Sequence, residues 1–339
     1  MGRLTSERES KREIITDENV YMRHTCVSSQ VKVVYRRSIS QAAQRAYFTV
    51  VCRVSNCHRL SISKKVGFVK MIHPLQKYVD YYRWVLSLSD ERVSKWLFMK
   101  DPTPSMLIIL LYVTFCYIAP RVLKGRSFEI TSYVRVYNLA MVFYSLYMAY
   151  ELYRNTLGYY YWPCEPLDRS MSPRSMAIAG AMWHYYISKI IEVLDSIFFT
   201  LRGKYNQLTC LHIYHHSTMI MMGWTMANFA PGGNSVFGAA LNCDIHILMY
   251  SYYFLATFGP KMQRYLWWKK YLTRLQIMQF LINLAFVFNF LRDPTQCEWS
   301  QEFAFVLTIL MISYLIMFIN FYIQTYYMKL SGWKAKKEP

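Results

Sequence analysis

Seven long apolar stretches occupy the carboxy-terminal two thirds of this 339-residue chain. A transmembrane helix needs roughly 20 mostly apolar residues, and each stretch is about that long. Tyrosine and tryptophan gather at several of their ends, where a membrane interface favours aromatic rings. The stretches cover residues 106–123, 134–153, 176–201, 207–227, 235–258, 271–291 and 302–326. They predict an all-α, multi-pass membrane protein with seven transmembrane helices.

The net charge of +19 would suit a nucleic-acid-binding protein, but the distribution of the charge argues against that class. Basic residues crowd the first 70 residues, with 14 Lys or Arg against 5 Asp or Glu, and the loops between the apolar stretches. Thirteen Lys or Arg lie in one set of alternate loops and the carboxy-terminal tail, and four lie in the other set. Because cytoplasmic loops carry the excess of Lys and Arg, we expect the carboxy terminus in the cytosol and no nucleic-acid partner.

The chain ends in Lys-Lys-Glu-Pro, which fits the dilysine type of retrieval signal of the endoplasmic reticulum. This signal must be cytosolic to be read, in agreement with the loop charges, and predicts a multi-pass protein of the endoplasmic reticulum membrane. We expect three segments: a basic, disordered extension over residues 1–70, a membrane domain over 71–328 and a cytosolic tail over 329–339. The segment that begins at Met71 resembles an ordinary protein amino terminus. Whether the native protein includes the extension is therefore left open.

Two of the eight cysteines lie in loops that this orientation assigns to the lumen. Cys164 falls between the second and third apolar stretches, and Cys297 falls between the sixth and seventh. Because the lumen is oxidising, we predict a disulfide between Cys164 and Cys297. Cys116, Cys210 and Cys243 lie within apolar stretches and are interpreted as small apolar fillers.

Four consecutive stretches, the third to the sixth, each carry polar residues at helical spacing. These residues are Lys189, Glu192 and Asp195; His212, His215 and His216; Asn242, His246 and Tyr250; and Thr273, Gln276 and Gln279. Ionisable residues are costly inside a membrane and usually face a bundle interior or a cavity. Their positions relative to the cytosolic loops predict one polar cavity in the cytosolic half of the membrane.

The histidine cluster admits two kinds of chemistry. His212, His215 and His216 stand at i, i+3 and i+4, so their imidazoles project from one side of a helix. Such spacing suits metal ligation, and it equally suits imidazoles that act as base or nucleophile near neutral pH. Lys189 and Glu192 could alternatively form a charge-paired packing stripe. The residues alone leave these alternatives open.

Basic residues ring the predicted mouth of the cavity. They are Arg202, Lys204, Lys269, Lys270 and Arg274. A cationic rim would attract a polyanionic ligand from the cytosol, although basic loops on this side are also what membrane insertion alone favours.

Taken together, the four polar stripes resemble the fatty acid elongase family. The family pattern is Lys-x-x-Glu-x-x-Asp-Thr, His-x-x-His-His, Asn-x-x-x-His-x-x-Met-Tyr-x-Tyr-Tyr and Thr-x-x-Gln-x-x-Gln, and this chain matches each part in order over residues 71–328. Ser196 stands where threonine is usual, so a hydroxyl is retained. With Gln207 and Tyr214 near the histidines, the chain resembles the branch of the family that uses polyunsaturated and very-long-chain acyl groups. His184 is a departure, since the family usually has an aromatic residue there.

This resemblance implies a very-long-chain 3-oxoacyl-CoA synthase. Such an acyltransferase condenses an acyl-CoA with malonyl-CoA and releases carbon dioxide and CoA, with no cofactor or metal. The resemblance also implies six helices closed into a barrel around a narrow acyl tunnel, with a seventh helix outside, in membrane lipid. Expected partners are the ketoacyl reductase, dehydratase and enoyl reductase of the elongation cycle. Acyl chain length, unsaturation and a homo-oligomeric state are left open.

Roles for the polar residues follow from that reaction. His215 is our candidate nucleophile, and we expect His246 to face it. Asn242, His216 and Tyr250 are candidate hydrogen-bond donors to a developing enolate, with His212 completing the catalytic set. We expect CoA binding by the basic rim, and orienting roles for Lys189, Glu192, Asp195, Tyr250, Gln276 and Gln279.

Two other classes of membrane protein compete with this interpretation. A di-iron desaturase or hydroxylase also uses His-x-x-His-His boxes, but several of them, whereas this chain has one box and His246. A seven-span receptor or transporter would not be expected to carry a retrieval signal or a histidine cavity that faces the cytosol.

Overall fold

The computed structural model describes residues 76–160, 164–292 and 300–328, and these residues contain helices and no strand. The all-α prediction is therefore confirmed for this part of the chain. The extension over residues 1–70 and the tail over 329–339 lie outside the described residues, so both stay predictions.

Ten α-helices form the described part of the chain. They are α1 (residues 76–87), α2 (Thr103–Val122), α3 (Thr131–Thr156), α4 (Pro173–Ile191), α5 (Leu194–Leu201), α6 (Cys210–Phe229), α7 (Ser235–Ala256), α8 (Pro260–Gln263), α9 (Lys269–Arg292) and α10 (Gln301–Tyr322). A short 3₁₀ turn, Tyr205–Gln207, precedes α6, and a π-helical turn, Ile323–Met328, follows α10. Each apolar stretch is helical over most of its length, and the third is divided between α4 and α5.

Three helices are long and apolar enough to cross a membrane by length and composition. They are Thr103–Val122, Lys269–Leu291 and Gln301–Met328. Together with the all-helical fold they make this a membrane protein. The helices that carry most of the polar stripes, α4, α6 and α7, are not among the three, so the number of seven spans remains a prediction.

Six of the long helices contact one another in a continuous order. Helix α3 packs on α7, α7 on α9, α9 on α10, α10 on α6, α6 on α4, and α4 on α3. Helix α2 instead packs on α6 and α5. The histidine cluster on α6 and the polar stripes on α4, α7 and α9 thus belong to one set of six packed helices.

The division between α4 and α5 lies inside the Lys189–Asp195 motif. The backbone N–H groups of Val193, Asp195 and Ser196 donate to the carbonyls three residues earlier, at 3.3, 3.1 and 3.1 Å. Bonds of this i to i+3 type tighten the helix relative to the α-helical i to i+4 pattern. The residues after Glu192 are therefore rotated away from the positions that a continuous α-helix would give them.

Helix α6 begins later than its apolar stretch because Thr209 caps it. The Thr209 side-chain oxygen accepts the backbone N–H of His212 at 3.2 Å, which is the usual role of an N-cap threonine. The histidine cluster therefore occupies the first two turns of α6.

The cysteine prediction is tested only in part. Cys164 is disulfide-bonded, whereas Cys116, Cys210 and Cys243 are free thiols. The partner of Cys164 is thus not among the described cysteines. Cys297 lies outside the described residues, so the Cys164–Cys297 pairing stays a prediction.

A buried ion pair ties the segment before α2 to the ends of two other helices. Arg92 Nη2 lies 2.7 Å from Asp90 Oδ2, and both side chains are almost completely buried. The Arg92 guanidinium also donates to Ser175 in the first turn of α4. The backbone N–H of Asp90 donates to the Asn228 carbonyl near the end of α6 at 2.7 Å. These contacts therefore hold the start of α4 beside the end of α6.

Replacement of Asp90 by asparagine is expected to destabilise the protein strongly, because it leaves the Arg92 charge buried without its anion. Loss of one partner of a buried pair costs about 3–5 kcal/mol. The thermal unfolding midpoint in detergent should fall by many degrees. Asp80→Asn is the matched control, since Asp80 forms an exposed pair with Arg83 at 3.9 Å. Equal midpoints for the two variants would contradict a stabilising role for the buried pair.

Candidate active site

The histidine cluster on α6 is anchored to α5 by a hydroxyl. Ser196 Oγ lies 2.7 Å from His212 Nε2, and the Tyr112 hydroxyl of α2 lies 3.0 Å from the same Oγ. The rings of His212 and His216 lie with their centroids 4.4 Å apart. His212 is therefore held by neighbouring side chains and supports the ring of His216 beside it.

His246 on α7 is joined to α4 by a carboxylate. Its Nδ1 lies 3.2 Å from Glu192 Oε1, and Lys189 Nζ donates to the same oxygen at 2.8 Å. Lys189 Nζ also donates to Asn242 Oδ1 at 2.8 Å. All four side chains are buried. Glu192 therefore contacts the ring of His246, and Lys189 links this carboxylate to Asn242.

Asp195 was expected to orient an imidazole, but its carboxylate binds a tyrosine instead. Its Oδ2 accepts the Tyr250 hydroxyl at 2.8 Å, and His212 is bound by Ser196 instead. Bonds of the i to i+3 type place residues three apart on the same side of a helix, so Asp195 faces α7 as Glu192 does. On α7, Tyr250 lies one turn after the His246 that Glu192 contacts. Asp195 thus fixes a tyrosine hydroxyl of α7.

A mostly apolar cavity lies among α4, α6, α7, α9 and α10. His215, Asn242 and Gln279 line it, and the methionines of α6, Met219, Met222 and Met226, line it further along. Of the four histidines on α6 and α7, only His215 is among the described lining residues. His215 is therefore the imidazole that a ligand in this cavity would meet.

The two predicted glutamines of α9 have different surroundings. Gln279 is buried and lines the cavity. Gln276 is half-buried, and its Nε2 lies 3.7 Å from the sulfur of Met249 on α7. Gln276 thus contacts a neighbouring helix rather than a histidine, whereas Gln279 faces the cavity beside His215.

Tyr185 is a site residue that the sequence reasoning missed. Its hydroxyl donates to Asn242 Oδ1 at 3.1 Å, and Lys189 Nζ lies 4.5 Å from the centre of its ring. It also lines the cavity. Its position four residues before Lys189, on the same side of a helix, was the available signal.

Three residues of the predicted basic rim form a compact cluster. Lys204 lies in the loop between α5 and α6, and the pKa of its ammonium group is lowered, first by burial and then by the positive charges of Arg202 and Lys269. Lys269 and Lys270 are exposed at the start of α9. Arg274 is exposed one turn later, where its Nε donates to the Tyr322 hydroxyl. The rim residues are therefore available to an anionic ligand, with Arg274 partly engaged.

His184 lies outside this arrangement. Its Nδ1 is 3.0 Å from the Tyr144 hydroxyl, and its ring packs on Trp183. It does not line the cavity, so its contacts are those of a packing residue between α3 and α4.

Comparison with known proteins gives a consistent result. The sequence pattern described as "ELO: GNS1/SUR4 family" matches residues 97–335. The chain is 41% identical over 251 residues to a human protein named very long chain fatty acid elongase 4, covering 73% of this chain and 79% of that protein. It is 38% identical over 253 residues to rat very long chain fatty acid elongase 7, covering 73% and 88%. Mouse very long chain fatty acid elongase 5 is 39% identical over 248 residues, covering 73% and 82%.

Replacement of Ser196 by alanine is expected to destabilise the histidine cluster, because Tyr112 and His212 both lose a hydrogen-bond partner. A buried group left unsatisfied costs about 1–3 kcal/mol, so the thermal unfolding midpoint in detergent should fall by several degrees. Ser196→Thr keeps the hydroxyl and should melt close to wild type. Ser87→Ala removes an exposed hydroxyl that bonds a local carbonyl and serves as the control. An unchanged midpoint for Ser196→Ala would show that this hydroxyl is not needed.

Proposed function

This chain belongs to the ELO (GNS1/SUR4) family of fatty acid elongation proteins, and we propose that it is the condensing enzyme, a very-long-chain 3-oxoacyl-CoA synthase. The observation that carries the proposal is the position of His215 on the wall of a mostly apolar cavity among the helices. The substrates would be a long-chain acyl-CoA and malonyl-CoA. The products would be a 3-oxoacyl-CoA two carbons longer, carbon dioxide and free CoA.

The first half of the reaction would transfer the acyl group to His215. A neutral imidazole nitrogen attacks the thioester carbonyl, the C–S bond breaks, and CoA leaves with the proton that the imidazole gives up. Glu192 accepts a hydrogen bond from His246 and would hold the His246 ring in place. His246 would then position or stabilise the acyl-imidazole.

The second half would form the carbon–carbon bond. Loss of carbon dioxide from malonyl-CoA leaves an enolate, whose carbon attacks the acyl carbonyl. The bond from the acyl carbon to the imidazole nitrogen breaks, and this nitrogen takes up a proton from solvent, which restores the neutral imidazole. Asn242 is the best-supported donor to the enolate oxygen, because Tyr185 and Lys189 both donate to its Oδ1. These bonds assign the amide orientation and leave Nδ2 as its donor group. The Tyr250 hydroxyl instead donates to Asp195.

The basic rim would bind the CoA phosphates. Arg202, Lys204, Lys269 and Lys270 gather at the adjoining ends of α5 and α9, on the side of the bundle where the histidine cluster begins. Clustered cations attract a polyanion and raise its local concentration. Arg274 would add a further cation one turn into α9.

The membrane arrangement proposed for this activity has seven spans, six of them closed into a barrel around the acyl tunnel. The continuous order of helix contacts supports the six-helix barrel, and the packing of α2 outside this order supports a seventh, peripheral helix. The loop charges support a cytosolic carboxy terminus, and the proposed location is the endoplasmic reticulum membrane. Because the product is a 3-oxoacyl-CoA, a ketoacyl reductase, a dehydratase and an enoyl reductase would act on it in turn. A preference for polyunsaturated acyl groups belongs to the same proposal.

Replacement of His215 or His246 by alanine is expected to abolish condensation while the protein still accumulates. A positioned acid, base or nucleophile contributes about 10²–10⁴-fold, so incorporation of labelled malonyl-CoA in microsomes should fall to background. His184→Ala is the matched control, since this histidine packs outside the cavity, and should keep its rate. Retained activity in both His215→Ala and His246→Ala would overturn the assignment.

Replacement of Lys269 and Lys270 together by alanine is expected to raise KM for acyl-CoA several-fold with little change in kcat. Phosphate binding distant from the reacting carbon is equal in the ground and transition states, so its loss appears in KM. The difference from wild type should shrink at high salt, because salt screens exposed charges. Lys261→Ala, an exposed lysine of α8, is the control. A fall in kcat with an unchanged KM would contradict CoA binding by this pair.

A further inference from the structure

The side-chain amide of Gln279 lies in the cavity and makes no hydrogen bond to any described residue. The residue is only 5% exposed, and its amide nitrogen and oxygen nevertheless keep surface open to the cavity. The oxygens of Ser235 and Asn283, which also belong to the cavity wall, are instead enclosed by protein. A buried polar group without a partner is unfavourable. The Gln279 amide is therefore a group on this wall that a ligand can reach and that gains from binding one.

Helix α9 carries Gln279 at the height of His215. Phe280, the next residue, packs on the rings of Tyr314 and Phe318 of α10, with centroids 5.5 and 4.9 Å apart. The His215 ring packs on the same two rings, at 5.2 and 6.0 Å. Since α6 and α9 meet the same two rings of α10, Gln279 and His215 belong to one level of the cavity that both of them line.

Two donors of α4 close to the cavity are already engaged. The Tyr185 hydroxyl and Lys189 Nζ both donate to Asn242 Oδ1, at 3.1 and 2.8 Å. Asn242 Nδ2 is the donor that the proposed condensation assigns to the enolate. Among the described residues that line the cavity beside His215, Gln279 thus remains as the side chain with a donor for another oxygen atom of the substrates.

Attack on a thioester creates a negative charge that needs such a donor. When a His215 nitrogen bonds to the carbonyl carbon, the π electrons of the C=O bond move to the oxygen. Donors aimed at that oxygen stabilise the transition state, and their effect is largest in a site that excludes water. The amide nitrogen of a glutamine offers two N–H donors and carries no charge of its own. The mostly apolar lining of the cavity suits this kind of stabilisation.

We propose that Gln279 is a further catalytic residue, whose Nε2 donates to the acyl carbonyl oxygen while His215 attacks the thioester. This inference rests on the proposed function. The oxyanion then re-forms the C=O bond as the C–S bond breaks, and CoA leaves with the proton that the imidazole gives up. The same oxygen becomes negative again when the enolate carbon attacks the acyl-imidazole, so Gln279 acts in both halves of the reaction. This role differs from the orienting role that the sequence predicts for Gln279.

The test uses the full-length protein, purified in detergent and in excess over a long-chain acyl-CoA, and measures CoA release before malonyl-CoA is added. Gln279→Met keeps the length of the side chain but removes the donor. Loss of one such donor should slow CoA release about 100-fold, with KM for acyl-CoA in the complete reaction close to wild type. The thermal unfolding midpoint should also stay close to wild type, because no bond to a described residue is lost.

Two further variants separate catalysis by Gln279 from a structural role. Gln279→Asn retains an amide but withdraws it by one carbon, so it should also slow CoA release without changing the midpoint. Asn289→Leu, at an exposed asparagine of α9, should release CoA at the wild-type rate. Wild-type rates of CoA release in both Gln279 variants would overturn the proposal, as would a fall of the midpoint in both or a raised KM with an unchanged rate. Wild-type protein that releases no CoA and forms no 3-oxoacyl-CoA would instead overturn the proposed condensation.

Discussion

The shared oxygen of Glu192 is the interaction on which the candidate site depends. Glu192 Oε1 binds Lys189 Nζ at 2.8 Å and His246 Nδ1 at 3.2 Å, and Lys189 continues the network to Asn242 on α7. Two helices are therefore joined by a buried chain of charged and polar groups. Removal of one member of such a network leaves a buried charge uncompensated, so the position of His246 and the orientation of Asn242 depend on the same carboxylate.

Much of this site could be predicted because its residues are unusual for their surroundings. Charged and imidazole side chains within apolar stretches stand out, and helical spacing indicates which of them share a side. Lys189, Glu192 and His246 were found in this way, and the structure joins them. His215 was found as one member of a cluster, but its place on the cavity wall needed coordinates.

Other features of the site had no comparable signal in the sequence. The i to i+3 bonds after Glu192 are a property of the backbone, so the bond between Tyr250 and Asp195 was not predictable from α-helical residue spacing. Tyr112 is one of 30 tyrosines, and nothing in the sequence distinguishes it as the one that bonds Ser196. Ser235 and Asn283 are small polar residues of a kind tolerated in many helices. Only coordinates show that both residues line the cavity.

The tightened turns between α4 and α5 have a consequence for how such a chain can change over time. Because Glu192 must meet His246 while Ser196, four residues later, must meet His212, the number of residues between them is fixed by two helices at once. With one residue inserted or deleted between them, a chain that kept the contact of Glu192 with His246 would lose that of Ser196 with His212, and the reverse. This short internal segment should therefore remain constant in length even where its individual side chains vary.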